Sequence, residues 1–178
     1  MPYDWATFFH DRVYQIHPNA NLAGIERGGY RLVYADKPTA SESAVQSGVA
    51  FEGRGAWAVN AWYSIGIGVN AEGIIRDVRR NGPADKARMA PEDKIIAVNG
   101  QIFSGDRLRA DIRNAKGKTE PIHLIVQSDS FVSTMDIDYH EGERYPVLDR
   151  VEGMPAYLDD ITQPLIRLST SKDPQVSK

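Results

Sequence analysis

A short run, Ser64-Ile65-Gly66-Ile67-Gly68, has the residue types of an anion-binding loop. Glycines that alternate with apolar residues let a backbone approach a ligand closely, and successive backbone N–H groups can then converge on a negative charge. Two anions suit such a loop. One is a phosphate, as in a dinucleotide site, and the other is the C-terminal carboxylate of a peptide.

The residues that follow the loop argue against phosphate. A dinucleotide loop has the pattern G-x-G-x-x-G between a strand and a helix, because the N-terminus of the helix supplies the anion site. Here Gly68 is followed by Val69, Asn70 and Ala71 and then by a second strand-like run, GIIRDV, without a phosphate-loop lysine. We therefore interpret the run as a carboxylate-binding loop.

A carboxylate loop of this kind needs a strand with a free edge and a helix beside it. Ile67–Val69 is predicted to be the strand on which a peptide pairs, and the backbone N–H groups of Ile65, Gly66 and Ile67 are predicted to hold the carboxylate. Leu108 and Ile112 share one helix face and are predicted to line the pocket for the last side chain. The predicted peptide-binding residues are Ser64, Ile65, Gly66, Ile67, Gly68, Val69, Leu108 and Ile112.

Metal and nucleophilic chemistry have little support in the sequence. No cysteine is present, and the histidines lack the spacing of metal ligands on a helix: His10, His17, His123 and His140. Asp136, Asp138 and His140 alternate, and we interpret them as a solvated strand face rather than as a cation site or a domain contact. No G-x-S-x-G elbow surrounds Ser64. We expect no catalytic residue, metal ligand or cofactor in these 178 residues.

The arginines near the loop are interpreted as ordinary surface charge. Some lie around the turn after the loop and others on the predicted helix: Arg76, Arg79, Arg80, Arg88, Arg107, Arg109 and Arg113. Nearby acidic residues offset them. The alternative is a basic rim that attracts peptide carboxylates.

The bulk composition excludes several classes of partner. The chain is 42% hydrophobic and 25% charged, with a net charge of −3, so it has no basic field for nucleic acid. No apolar run approaches the roughly 20 residues that span a bilayer. We expect a globular chain that binds neither nucleic acid nor a membrane core.

The first third of the chain differs from the rest. Residues 4–16 are predicted to form a helix with an aromatic stripe that ends before Pro18. Asp4 is predicted to be its N-cap or to add negative charge to its first turn. A strand is predicted over 28–35, and the polar run 36–48 is predicted to be a mobile linker. The aromatic helix face is expected to pack on the rest of this chain or on a domain upstream.

From about residue 60 the pattern becomes short strands separated by turns. A turn at 81–83 leads into a short helix over 84–89, and a strand over 93–98 ends at Asn99-Gly100, a strong hairpin signal. Ser104 is predicted to cap a helix over about 105–115. Residues 121–139 are predicted to be one long or bent strand, or a hairpin at 128–130.

This order of elements, together with the run GPADKARMAPEDKIIAVNG (82–100), resembles a PDZ domain of the bacterial type. The resemblance predicts a mainly β fold with helices: a PDZ-like, partly open β-barrel with two helices, preceded by an N-terminal helical segment. The sequence departs from the pattern at Arg88 and Glu92, where glycine is common. We expect the local turns to differ there, since a left-handed backbone would cost about 1 kcal/mol at each position.

The resemblance extends beyond this run. Together YDWATFFHDRVYQIHP, GIERGGYRLVY, AWYSIGIGV and DYHEGERYPVLDRVEGMPAYLDDI resemble the C-terminal region of the PDZ-containing glycyl aminopeptidases, zinc metallopeptidases with a thermolysin-like catalytic domain. The zinc signature His-Glu-x-x-His is absent from this sequence. The resemblance therefore implies that a zinc-bearing catalytic domain precedes this region in a longer protein, and it leaves the compartment open between export and the cytoplasm.

These observations predict five regions and two functions. The regions are 1–35, the end of the catalytic region; 36–59, a linker; 60–140, the PDZ-like domain; 141–165, an extension; and 166–178, a disordered tail. The first predicted function is a non-catalytic module that binds a peptide C-terminus by strand addition. The alternative is a scaffold with a self-occupied groove, which braces the catalytic domain or builds a homo-oligomer.

Overall fold

The computed structural model describes residues 3–15, 22–40, 42–43 and 57–163. The predicted disordered tail lies outside the described residues, and so do most of the predicted linker and the predicted helix stop at Pro18.

The chain forms two compact units. One comprises Val33–Val147, and the other combines Met1–Leu32 with Leu148–Lys178. The domain limits drawn from the sequence stay predictions.

The described part of the chain contains short helices and strands throughout. The helices are α1 (Trp5–Tyr14), α2 (Ala23–Arg27), α3 (Pro83–Lys86), α4 (Gly105–Asn114) and α5 (Tyr157–Thr162). The strands are β1 (Tyr30–Ala35), β2 (Val59–Ala61), β3 (Ile67–Val69), β4 (Ile75–Val78), β5 (Lys94–Val98), β6 (Gln101–Ile102), β7 (Ile122–Ser128), β8 (Phe131–Ile137) and β9 (Tyr145–Arg150).

Within the described residues, the strands form three open sheets rather than a closed barrel. Their strand orders are β2-β3-β4, β6-β5-β7-β8 and β1-β9. The predicted class, mainly β with helices, is confirmed, and the partly open barrel of the prediction is a set of separate open sheets.

The hydrophobic core follows from simple periodicities. Strand β7 buries Ile122, Leu124 and Val126 at every second position, as expected for a strand with one face on the core. Helix α4 buries Leu108 and Ile112, which lie one turn apart. Among the described residues, every buried apolar side chain lies between Val59 and Tyr145. The core therefore belongs to the Val33–Val147 unit.

Two hairpins organise the larger sheet. Asn99 and Gly100 have φ values of 46° and 78°, the positive values that a tight hairpin turn requires, and they join β5 to β6. Asp129, with φ of 52°, lies in the turn between β7 and β8. Of the two alternatives for residues 121–139, the hairpin is the correct one.

Arg88 and Glu92 do not behave as expected from the sequence. Their φ values are 66° and 72°, so both residues adopt the left-handed backbone that favours glycine. The expectation that the local turns differ was wrong. The surrounding contacts hold these turns: the Met89 amide donates to the Ala84 carbonyl, and the Glu92 amide donates to the Ile75 carbonyl.

In the other unit, α1 confirms the predicted N-terminal helix. The Asp4 carboxylate accepts a hydrogen bond from the Thr7 amide, and hydrogen bonds from Thr7 lower the pKa of Asp4. The helix buries none of its residues, and Trp5 and Phe9 are each more than half exposed. No helix in the described ranges is long and apolar enough to cross a membrane.

Candidate peptide-binding site

The predicted loop is a tight connection between β2 and β3. The backbone amides of Ser64 and Gly66 both donate to the Ala61 carbonyl oxygen, at 3.1 and 2.9 Å. Gly66 has φ of 86°, a conformation that glycine adopts without strain. The loop therefore directs two amide donors at one oxygen, the Ala61 carbonyl of this chain, rather than at an external ligand.

The opposite side of the loop is anchored to the segment that carries α3. The Arg79 amide donates to the Gly66 carbonyl at 2.7 Å, and the Ala84 amide donates to the Ile65 carbonyl at 3.0 Å. A β-carbon on Gly66 would lie 3.3 Å from the Arg79 β-carbon. These contacts fix the loop backbone, so its donors are preorganised.

Ser64 is buried and faces the segment that follows β8. It is 3% exposed, and its hydroxyl oxygen accepts a hydrogen bond from the Arg144 amide at 3.0 Å. Tyr139 lies in the same segment, and burial, together with the nearby Glu141 carboxylate, raises the pKa of Tyr139. The Ser64 side chain thus ties the loop to residues 139–145.

The predicted receiving strand has no free edge. Strand β3 lies between β2 and β4 and pairs antiparallel with both. Val59 pairs with Val69, Asn60 with Gly68, and Ala61 with Ile67. The free edge expected at Ile67–Val69 is therefore absent, because β2 occupies the position expected for a peptide.

Strand β2 also contacts the predicted groove helix. A β-carbon on Gly105 would lie 3.0 Å from Val59 Cγ2, and Arg109 Nη2 donates to the Ala58 carbonyl at 3.1 Å. Val59 and Ala61 are buried, whereas Asn60 between them is partly exposed. Strand β2 thus lies against α4 as well as against β3.

Trp57 extends this occupied segment. Its indole lies on Gly68, since a β-carbon on Gly68 would come within 2.5 Å of two indole carbons. The absence of a side chain at Gly68 makes room for the ring. Residues 57–61 therefore fill the space beside β3 along its whole length.

All the predicted binding residues lie in the Val33–Val147 unit. Ile65, Ile67, Val69 and Leu108 have no exposed surface, and Ile112 is 1% exposed. They belong to one apolar cluster, which also contains Val59 and Ala61 of β2. Their role in peptide binding stays a prediction.

A charged network on α4 was not predicted from the sequence. Glu143 accepts a hydrogen bond from Arg113 at 2.8 Å and one from the Tyr145 hydroxyl at 3.1 Å, and it lies 3.9 Å from Arg109. The side chain of Arg109 is 14% exposed and that of Glu143 is 7% exposed. Arg109 is therefore a partly buried structural residue rather than ordinary surface charge.

The occupied segment was also missed, although a signal was present. Trp57, Val59 and Ala61 alternate with smaller or polar residues directly before the loop, which is the pattern of a strand with one buried face. The predicted linker covered residues 57–59, so this pattern was not used.

The histidine and aspartate pairs are peripheral. His123 contacts Asp136 and His140 contacts Asp138, each at 2.7 Å, and Asp138 is 92% exposed. Strand β8 ends at Ile137, so Asp138 and His140 lie beyond it. Among the described residues, no group of three or more His, Cys, Asp or Glu side chains is placed to hold a metal ion.

Comparison with known families identifies the fold. The model of the PDZ domain matches residues 46–127, which include β3, β5 and α4. The chain contains a PDZ domain. In this PDZ domain the loop at 64–66 precedes the strand β3, and α4 contacts β2, the strand that pairs with β3.

Similar proteins give further context. The carboxy-terminal processing protease CtpB of Bacillus subtilis is 33% identical over 86 residues, which are 48% of this chain and 16% of CtpB. The crystal structure of an aminopeptidase N family protein from Idiomarina loihiensis matches 91% of this chain and 26% of that chain, with 15% identity and a TM-score of 0.55. A phage-ligand complex of the HtrA3 PDZ domain is 17% identical, with a TM-score of 0.31, over 67% of this chain and 85% of that chain. The chain spans well under half of the length of CtpB and of the aminopeptidase.

Proposed function

We propose that this PDZ domain is a non-catalytic module that binds the C-terminus of a peptide or protein by strand addition, within a longer peptidase. The relatives support the second part, since one is a processing protease and the other an aminopeptidase N family protein. The geometry of the groove beside β3 and α4, in which β2 lies, supports the binding of a peptide C-terminus by strand addition.

One observation carries the proposal: the groove holds an antiparallel strand of the correct direction. Strand β2 runs towards the loop, pairs with β3, contacts α4 and ends with the Ala61 carbonyl on two loop amides. A peptide added in this way would place its terminal carboxylate at the same donors. The apolar cluster around Leu108 and Ile112 would receive its alternate side chains.

One cationic side chain near the loop, that of Arg79, favours a negative ligand. The Arg79 side chain lies beside Gly66, with Nε 3.6 Å from the position of a β-carbon on that residue. Positive charge at the end of a groove favours a carboxylate over a neutral amide.

An NMR titration tests this proposal. Peptides are added to the isotope-labelled chain as free acids and as C-terminal amides. We expect shifts at Ile65–Val69 and at Leu108–Ile112 with the acids and much weaker shifts with the amides. No shifts with any acid, in a library that varies the last five residues, would reject peptide binding.

The occupied groove favours a second candidate function, a bracing scaffold. Because β2 already fills the edge of β3, the module has a paired strand without an external ligand. Here the PDZ domain would support the catalytic domain or a homo-oligomer. Replacing Val59 by Asp would then dissociate the assembly or inactivate the longer enzyme, whereas peptide acids would have no effect on either.

The finer identity of the longer protein is also a proposal. We infer a glycyl aminopeptidase, in which zinc would be bound by a catalytic domain outside these 178 residues. The exposed aromatic face of α1 would contact that domain, since such a large apolar surface usually marks an interface. The longer polypeptide should release N-terminal glycine from short peptides, and a chelator should abolish that activity. A longer protein with intact zinc that cleaves no N-terminal glycine would reject this identity.

A further inference from the structure

The segment Trp57–Ala61 makes the contacts that an external ligand would need. It pairs with β3 through three residues, places an indole on Gly68 and bonds Arg109 through the Ala58 carbonyl. Its last residue places a carbonyl on the loop amides. An external chain therefore competes directly with this segment.

We propose that Trp57–Ala61 is an internal ligand of the groove and that an external peptide binds by exchanging with it. The proposal rests on the peptide-binding function proposed above and adds its regulation. The groove is closed when the internal strand is seated, and it opens when β2 leaves β3 and α4.

The internal strand also indicates which peptides the groove accepts. Ala61 and Val59 are buried, Asn60 is partly exposed, and Trp57 contacts Gly68. An external chain in the same register would carry a small last residue, a β-branched residue two positions before it, and an aromatic residue four positions before it. The preferred ligand class is therefore aromatic-x-Val-x-Ala with a free carboxylate.

The internal strand makes few enough contacts for an external peptide to replace it. The internal strand pairs over only three residues. A tethered ligand competes at an effective concentration of about millimolar, so it weakens but does not abolish binding of an external peptide. If the closed state is 90% populated, the apparent Kd rises about ten-fold over that of the open groove.

The first experiment measures the affinity of the peptide Trp-Ala-Val-Asn-Ala, as acid and as amide. Its binding is compared for the natural protein, Trp57→Ala and Trp5→Ala. Trp57→Ala removes the aromatic anchor of the internal strand, and Trp5→Ala makes the same chemical change on α1. We expect Trp57→Ala to bind the acid about ten-fold more tightly than the natural protein, and Trp5→Ala to match the natural protein. Equal affinity in all three would overturn the internal-ligand proposal but leave peptide binding intact.

A second variant tests the contact from the other side. Gly68→Ala places a β-carbon within 2.5 Å of the indole position, so it should expel Trp57 while keeping a backbone that alanine adopts. We expect it to lose the preference for Trp-Ala-Val-Asn-Ala over Ala-Ala-Val-Asn-Ala. An unchanged preference would show that external peptides do not use this position.

The outcomes separate the two proposals. If no protein binds the acid, including a folded Gly68→Ala variant, the peptide-binding function fails. If the natural protein binds the acid without any shift of its Trp57 and Gly68 resonances, the peptide-binding function stands and exchange with the internal strand is rejected. Circular dichroism checks the fold of every variant, and if Trp57→Ala does not fold, Gly68→Ala carries the comparison.

Discussion

At the scale of single residues, charge burial makes Glu143 a sensitive position. Its carboxylate lies at 2.8 Å from Arg113 and close to Arg109, and both Glu143 and Arg109 are largely shielded from water. Removing one member of a buried charge pair leaves the other without compensation. The Glu143–Arg109 pair therefore matters mainly because loss of one charge would leave the other shielded from water without its partner, and less because of the net attraction between the two.

Glu143→Ala should lower the free energy of unfolding by about 3 kcal/mol, because Arg109 would lose its buried partner. Urea unfolding measures the change. The matched control is Glu141→Ala, which removes a carboxylate that is 62% exposed and pairs with Arg144; this change should cost less than about 1 kcal/mol. Equal effects of the two substitutions would contradict the role given to Glu143.

Tyr139 gives a prediction about pH. Burial raises the pKa of its hydroxyl above the ordinary value of about 10. The folded chain therefore keeps a proton that the unfolded chain loses, so this contribution is fully present below about pH 10 and is lost as the pH rises through the folded pKa.

Tyr139→Phe should remove this alkaline loss. It should also lower stability by about 1 kcal/mol at neutral pH, because the hydroxyl donates to the Gly142 carbonyl at 2.7 Å. Thermal unfolding of both proteins between pH 8 and pH 11 measures the difference. A stability difference that does not narrow at high pH would count against the assignment.

At the scale of elements, the turns around α3 retain a backbone that their residues disfavour. Arg88 follows α3 and has φ of 66°, a backbone conformation that is strained for a residue with a β-carbon. Arg88→Gly should raise the free energy of unfolding by up to about 1 kcal/mol. Lys86→Gly, at the last residue of α3, should lower it by up to about 1 kcal/mol. Unfolding curves that shift in the same direction for both variants would show that the strain at Arg88 is already relieved.

The sequence predicted those elements whose signals are local. The cap at Ser104, the turn at Asn99-Gly100 and the apolar face of α4 are set by neighbours within a few positions, and each was found. Strand β2 was missed although Trp57, Val59 and Ala61 alternate, because so short a run has little intrinsic preference and is stabilised by its pairing with β3. The candidate loop was located from its glycines, but its occupancy depends on that pairing and could not be inferred from local pattern.

At the scale of the whole molecule, stability is concentrated in one part of the chain. The buried apolar residues of the described chain all lie between Val59 and Tyr145, and α1, α2 and α5 bury none of their residues. Because burial of apolar surface is the dominant favourable term in folding, residues 57–147 hold most of what drives this chain to fold.

A fragment of residues 57–147 should therefore fold on its own in a single cooperative transition. It keeps β2 to β8, both helices of the core and the Glu143 network, so its midpoint in urea should lie close to that of the full chain. A fragment that begins at Ser64 and lacks the internal strand is the matched comparison. It should be less stable than the first fragment, and the peptide Trp-Ala-Val-Asn-Ala should restore part of the loss in proportion to its concentration. If the shorter fragment were as stable as the longer one, the pairing of β2 with β3 would contribute nothing to the free energy of unfolding.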